Sequence, residues 1–272
     1  MNVIKNDNLS TTAMADVQSS ADDRNLSIEQ VGVRNIRFPI MVQGESGVMP
    51  SIAQFNLNVA LPAHQKGTHM SRFMALLQEA KEPISATSLG ALIKKMLPLL
   101  EAKKGMIELS YAHFVNKKAP ISGIQSMMDY QVTWTCFAEE HSNEMHVVNF
   151  LKVQVPVMSL CPCSKEISDY GAHNQRSHVV IEVQLKKDAS MFVEELIDIA
   201  EAQASCELWG LLKRTDEKYV TEKSYENPKF VEDLVRDVAS QVAQLKNIVS
   251  YDVEAENFES IHNHSAFARI SS

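Results

Sequence analysis

The sequence predicts an α+β fold made of two ββααββ units in tandem, each a twisted antiparallel sheet with its helices on one face. Three observations predict it. Apolar residues alternate with period two on either side of each helical region; the helical regions carry paired stripes of helical spacing; and the same order returns in the second half without a letter-for-letter repeat.

The first 27 residues, rich in Asn, Ser, Thr and Asp, show no sustained apolar period and are expected to form a flexible tail, 1–27. The first unit, 28–140, opens with alternation from Val31 to Val42 and in AQFNLNVAL, where Ala53, Phe55, Leu57, Val59 and Leu61 share one face. Phe73, Leu76, Leu77 and Ala80 recur at helical intervals. A second helix is expected from Ser88 to about Ala102, with Pro98 shortening or kinking it and Gly105 as a stop. Two further alternating runs follow, through Ile107, Leu109, Tyr111, His113 and Val115 and through Met128, Tyr130, Val132, Trp134 and Cys136. The second unit, 141–272, has strands at Val147 to Val157 and His178 to Leu185, helical stretches at Ser190 to Leu212 and Pro228 to Leu245, and strands at Ile248 to Glu254 and Ala266 to Ile270. Sheets built this way have open edges, and open edges predict an oligomer.

Composition excludes several function classes. A chain of 272 residues with 45% apolar and 22% charged residues forms real cores without staples. It has four cysteines, no basic-then-apolar leader and no apolar run of the roughly 20 residues that cross a bilayer, so a cytoplasmic protein with reduced thiols and no membrane partner is expected. A net charge of −8 argues against a nucleic-acid surface. An anionic ligand would need a local basic pocket.

Chemistry-bearing residues concentrate in four stretches. SLCPCSKEISDYGAHNQRSH, 159–178, places Cys161 and Cys163 around a proline, with His173 further along the same loop. Cysteines two apart close a disulfide poorly, and a redox dithiol is more usually Cys-x-x-Cys at a helix start. A closed structural zinc site lacks enough clustered Cys and His; an open metal site with three protein ligands fits better. On spacing alone, small buried hydrophobes and a satisfied loop histidine account for the stretch equally well. Cys136 and Cys206 sit in apolar periodic contexts and read as core. The acidic stretch KRTDEKYVTEKSYENPKFVED, 213–233, reads first as a solvated charged connector between helices. ESIHNHSAF, 259–267, places His262 and His264 on one face of a strand or turn. KGTHMSRF, 66–73, puts Lys66, His69, Ser71 and Arg72 at a helix entrance suited to an anion, unless Thr68 or Ser71 merely caps that helix.

These four stretches together resemble the type IB GTP cyclohydrolase I family of the tunnelling-fold superfamily, over nearly everything after the tail. The resemblance implies two ββααββ units per chain, a barrel completed by oligomerisation as a homotetramer, and hydrolysis and ring rearrangement of GTP to 7,8-dihydroneopterin triphosphate and formate, the entry to folate synthesis. It further implies one divalent metal per site, held by Cys161, His173 and Glu217, with Zn, Mn or Fe(II) all compatible with mixed S, N and O donors. Glu232 would pair with the guanine edge. His262, with His264 beside it, would carry protons. Lys66, His69, Arg72, Lys165 and Arg176 would meet the triphosphate. Glu222 and Glu226 are neighbouring alternatives to the two glutamates. Two other classes stay open: a tunnelling-fold nitrile reductase with a cysteine nucleophile and NADPH, and a non-catalytic metal- or redox-sensing oligomer.

Overall fold

The computed structural model describes Gln18 and residues 20–272; residues 1–17 and 19, most of the predicted tail, lie outside the described residues. The elements run in chain order as strands β1 (Ile28–Gly44) and β2 (Gly47–Leu61), helices α1 (Met70–Glu79) and α2 (Ala86–Leu99), then strands β3 (Lys104–Lys118), β4 (Gln125–His141) and β5 (Glu144–Leu160). They continue with α3 (Pro162–Ile167), β6 (Asn174–Leu185), helices α4 (Val193–Gln203), α5 (Arg214–Glu226) and α6 (Val231–Val242), and strands β7 (Ile248–Asn257) and β8 (Ala266–Ser271). All eight strands form one antiparallel sheet in sequence order. The halves join at the β4–β5 hairpin, where Ser142 and Asn143 both take positive φ, at 51° and 66°, as a tight two-residue turn requires.

Strand register gives the sheet two chemically distinct faces. Phe55, Leu109, Trp134, Leu151 and Val183 lie directly opposite one another across five neighbouring strands and are all buried. One residue along, Arg37, Gln54, Ser110, Thr133, Lys152, Glu182, Asp252 and Ser271 form an unbroken polar row across all eight strands. The helices pack on the apolar face, where the apolar residues of α1, α2, α4 and α6 join one continuous core with the strands. The polar face carries its own ion pairs, Lys152–Glu182 at 2.6 Å and Arg269–Asp252 at 2.8 Å.

Several boundaries differ from the sequence expectation for identifiable reasons. Helix α2 starts at Ala86 because Ser85 caps it, accepting from the Ser88 amide at 3.1 Å while Ser88 reaches back to the Ser85 amide at 2.9 Å. It ends at Leu99, just past Pro98, so Gly105 is not its stop. Gly105 lies in β3, where a Cβ would fall 2.8 Å from the Asn58 carbonyl oxygen and 2.9 Å from Leu97 Cδ2. The stretch Ser190 to Leu212 is helical only over Val193–Gln203. Beyond it, Cys206 forms a β-bridge with Met158 that draws the backbone onto the end of β5. The acidic stretch expected as a connector is mostly helix α5, whose inward face is Asp216, Val220 and Ser224 rather than an apolar stripe. At the described end of the predicted tail, Ala21 bridges Gln65, and the Lys66 amide donates to the Ser20 carbonyl at 3.1 Å.

Any side chain at position 105 meets backbone. Gly105→Ala is therefore expected to cost about 1–3 kcal/mol of stability, read as a lower urea midpoint at unchanged slope. Wild-type stability in that variant would show that β2 and β3 can separate there without loss.

Candidate functional site

The ends of β5 and β6 bring the first two candidate residues together. Leu160 pairs with Asn174 as the last rung of the ladder, so the 13 residues between them must close into a loop. The Cys161 amide donates to the His173 carbonyl at 3.1 Å. Within the loop, Pro162 occupies the first position of α3 and Cys161 is its cap, with Sγ accepting from the Ser164 amide at 3.5 Å. The Ser164 hydroxyl donates to the Cys161 carbonyl at 3.1 Å and accepts from the His173 amide at 3.2 Å. The expected irregular loop is thus a helical turn folded back on itself. Cys161 is half-buried and Cys163 exposed.

Three more segments converge on this end of the sheet. The Leu160 amide donates to Ser205 Oγ at 3.1 Å, and the Leu160 carbonyl accepts from the Lys229 amide at 3.1 Å. That second bond places the start of α6, with exposed Glu232 in its first turn, beside Cys161. The β7–β8 loop arrives from the other side. Ser260 Oγ lies 3.2 Å from His173 Nδ1, and the same nitrogen meets Gln175 Oε1 at 3.1 Å. His262 and His264 follow in this loop as an exposed stacked pair, with ring centroids 5.1 Å apart and planes 13° from parallel. Lys165 ties α3 to the end of α5, donating to the Tyr225 carbonyl at 2.6 Å with its Nζ 4.5 Å from the Tyr225 ring centroid. Arg176 is exposed on the polar face of β6. Next on that face, burial lowers the pKa of His178, against Glu256, and its ring stands edge-on to Phe258 at 4.7 Å.

Helix α5 is anchored by a buried carboxylate that the sequence reading passed over. Asp216 accepts from the Ile121 amide at 2.9 Å, the Ser122 amide at 2.8 Å, the Ser122 hydroxyl at 2.6 Å and the Lys213 amide at 2.9 Å. Desolvation alone would raise its pKa; these donors outweigh it and hold the carboxyl well below the usual range. The anchor fixes Glu217 in an exposed first turn. Further along α5, Glu222 and Glu226 line a cleft of about 560 Å³ whose other wall is the loop from Ser168 to Ala172.

The basic helix entrance lies elsewhere. Lys66, His69 and Arg72 follow the end of β2, and Val59 of β2 pairs with Gly105 near the start of β3. Through β3 and β4 that is the end of the sheet where β5 begins, whereas Cys161 stands where β5 finishes. His69 is the cap residue of α1 without a side-chain cap bond, so neither Thr68 nor Ser71 takes that position. Arg72 donates to the Leu99 carbonyl at 2.8 Å and to Glu101 at 3.1 Å, closing the C-terminus of α2.

Among the described residues, no three His, Cys, Asp or Glu side chains come close enough to hold a metal ion. Two of the expected ligands fit one in donor chemistry: Cys161 offers sulfur, and both hydrogen bonds of the His173 ring fall on Nδ1, leaving Nε2 to ligate. Glu217 does not join them within the chain. Burial pushes the Cys136 thiol up to about 12 and raises that of Cys206, so both remain inert core thiols as their sequence context suggests. Sequence reasoning missed Gln175, Ser205, Asp216 and Ser260. Of these, only Gln175 had a signal, a polar side chain two residues from His173 at a strand start.

Residues 14–268 match the family model of type I GTP cyclohydrolase folE2. The chain is 60% identical over 264 residues to GTP cyclohydrolase FolE2 of Polynucleobacter asymbioticus, covering 97% of each chain. It is 57% identical over 257 residues to GTP cyclohydrolase FolE2 of Ralstonia nicotianae, covering 94% of each. In fold it is similar to urate oxidase from Bacillus subtilis 168, with a TM-score of 0.55 at 9% identity over 91% of this chain and 98% of that one. It is also similar to a mutant urate oxidase of Bacillus sp. TB-90, with a TM-score of 0.52 at 9% identity over 90% and 99%. The eight-stranded antiparallel sheet with six helices among the described residues fits a tunnelling fold.

The Asp216 anchor has a pH signature. Its folded pKa is depressed, so its contribution to stability is full above the ordinary carboxylate value of about 4 and is lost as pH falls below it. Asp216→Asn is expected to be less stable than wild type at pH 7 in urea unfolding, with the gap closing below pH 4. A gap independent of pH would mean that the charge plays no part in the anchor.

Proposed function

Since the chain belongs to the FolE2 family of type I GTP cyclohydrolases, and is a GTP cyclohydrolase of folate biosynthesis, we propose that the Cys161 end of its sheet opens the imidazole ring of GTP, releases C8 as formate and recloses 7,8-dihydroneopterin triphosphate. The observation that carries this reading is the closure of the Cys161 amide on the His173 carbonyl, with Ser260 of the β7–β8 loop on the His173 ring and the His262–His264 pair further along that loop. Family membership removes the reason to read the chain as a nitrile reductase or a sensor.

Cys161 and His173 would hold a divalent ion, Zn, Mn or Fe(II), with Glu217 as the proposed third donor. Such an ion supplies a polarised water for attack at C8. Glu232, at the start of the helix clamped to Leu160, accepts two parallel N–H bonds from the guanine edge and sets the base in register with Cys161. His262 delivers the proton to the departing nitrogen, and the stacked ring of His264 restricts its orientation. Lys165 and Arg176 flank this end and meet the phosphates nearest the base.

Lys66, His69 and Arg72 cannot serve a site at Cys161 of their own chain. The 17 residues of β5 separate the two ends, a span of roughly 50 Å at strand rise. A second copy, bringing its α1 entrance to this chain's Cys161 end, completes the triphosphate pocket, and the two open sheet edges are the surfaces by which copies close a barrel. A homotetramer is the proposed assembly.

Incubation with GTP and Mn²⁺ should give a pterin that fluoresces after oxidation, together with formate; no pterin with any divalent metal would end this reading. Cys161→Ser and Lys66→Ala should each be inactive alone, yet regain part of the activity when co-expressed in mixed oligomers, because one interface then has both halves intact. Failure to complement would place the whole site in one chain. In single turnovers, His262→Ala should release formate about 10² to 10⁴ times more slowly with metal content unchanged, and His264→Ala should lose less. The reverse ranking would exchange their roles.

A further inference from the structure

We propose that Gln175 is a positioning residue that fixes the ring tautomer of His173, keeping the proton on Nδ1 so that Nε2 presents its lone pair. Its bearing on metal binding rests on reading His173 as a ligand; the tautomer itself does not. Gln175 is 8% exposed, on the helix-facing side of β6, and its Oε1 stands 3.1 Å from His173 Nδ1. A carboxamide oxygen accepts and cannot donate, so a favourable contact requires the hydrogen on Nδ1.

The second partner of that nitrogen cannot make the choice. Ser260 Oγ, 3.2 Å away, is a hydroxyl that donates or accepts as its neighbour demands, and it sits exposed in the β7–β8 loop. Gln175 is held differently. Its backbone lies opposite Ser159 in the β5–β6 ladder, one rung from the Leu160–Asn174 pair that closes the Cys161 loop. The oxygen is therefore aimed by the sheet itself. A glutamine buried on the same strand face as Val179 and Ile181 is costly unless paired, and the imidazole is the partner that the geometry provides. An unrestrained imidazole would distribute its proton over both nitrogens. Held by Gln175, it keeps one defined lone pair, on Nε2.

The first test needs no metal. In metal-free protein labelled with ¹⁵N-histidine, long-range proton–nitrogen spectra above the imidazole titration should show His173, assigned by its loss in His173→Ala, with Nδ1 protonated and Nε2 bare. Gln175→Met should shift it toward the Nε2-protonated form, and Gln175→Glu should keep the wild-type form. An Nε2-protonated His173 in the wild type would overturn the proposal, since the amide would then be donating. The second test is Mn²⁺ or Zn²⁺ affinity by competition with a chromophoric chelator. Gln175→Met should weaken it about 10- to 100-fold, while Gln175→Glu, still an acceptor, should bind within a few-fold of wild type. A purely structural role predicts the opposite ranking, because a buried carboxylate disrupts more than a thioether; that ranking would overturn the proposal. If His173→Ala binds metal as tightly as wild type, the ligand reading of His173 fails, and the tautomer result stands or falls on the spectra alone.

Discussion

The last rung of one ladder, Leu160 opposite Asn174, is the constraint from which the site follows. Because these residues are locked in register, the chain between them must return to its starting point. Cys161 and His173 then meet through a backbone bond although twelve positions apart. Both polar groups of the Leu160 backbone are used, the amide by Ser205 Oγ and the carbonyl by the Lys229 amide, so the segments before α5 and after it are tied to the same rung. A slip of one residue here would turn every side chain of β6 to the other face. It would turn Gln175 off the helix-facing side and break the Ser159–Ser177–Asn257 cluster that holds β5, β6 and β7 together just beneath the loop.

The halves are held together by more than apolar burial. Helix α4 directs Glu194 and Glu201 inward, against strands of the first half. Glu194 lies 3.0 Å from His113 Nε2; Glu201 accepts from Lys117 at 2.6 Å and from Tyr130 at 2.7 Å. Desolvation raises the pKa of Glu201 against Lys117, whereas for Glu194 it is overcome by the His113 hydrogen bond and the pKa is lowered. Such pairs add little net stability over well-packed hydrophobes but are costly to break, so they specify which surfaces dock. Together with Asp216, which pins α5 to the β3–β4 turn, they make the first half a scaffold for residues of the second.

In the proposed reading, two ends of one long sheet would carry two parts of one chemistry. In a chain of net charge −8 an anionic ligand must be met by local cations, and at the Cys161 end Lys165 and Arg176 stand beside Lys229, whose ammonium is paired with Asp237. The remaining basic motif lies a full strand length away. The face opposite the helices is mixed: one row is polar across all eight strands, while the row of Asn58, Met106, Phe137 and Val148 is largely apolar, and β1 and β8 are the outermost strands of the sheet.

Periodicity alone determined the strands, the paired helices α1 and α2, and the apolar row that became the core, because burial on one face writes a local pattern into the residues themselves. The inertness of Cys136 and Cys206 was legible in the same way, from apolar neighbours on either side. The roles assigned to Cys161, His173, Glu217, Glu232 and His262 came from resemblance of motifs rather than from any period. Helix α5 was illegible because its inward face is Asp216, Val220 and Ser224, a stripe whose burial depends on donors from residues 121 and 122, nearly a hundred positions earlier. The same limit hid His113 as the partner of Glu194 and set the end of α4, where Cys206 is captured by Met158. Tertiary structure alone decided that Ser260 joins Gln175 on one nitrogen of His173 and that Lys66 and Cys161 stand at opposite ends of the sheet, since both depend on how distant strands pair, which no single segment encodes.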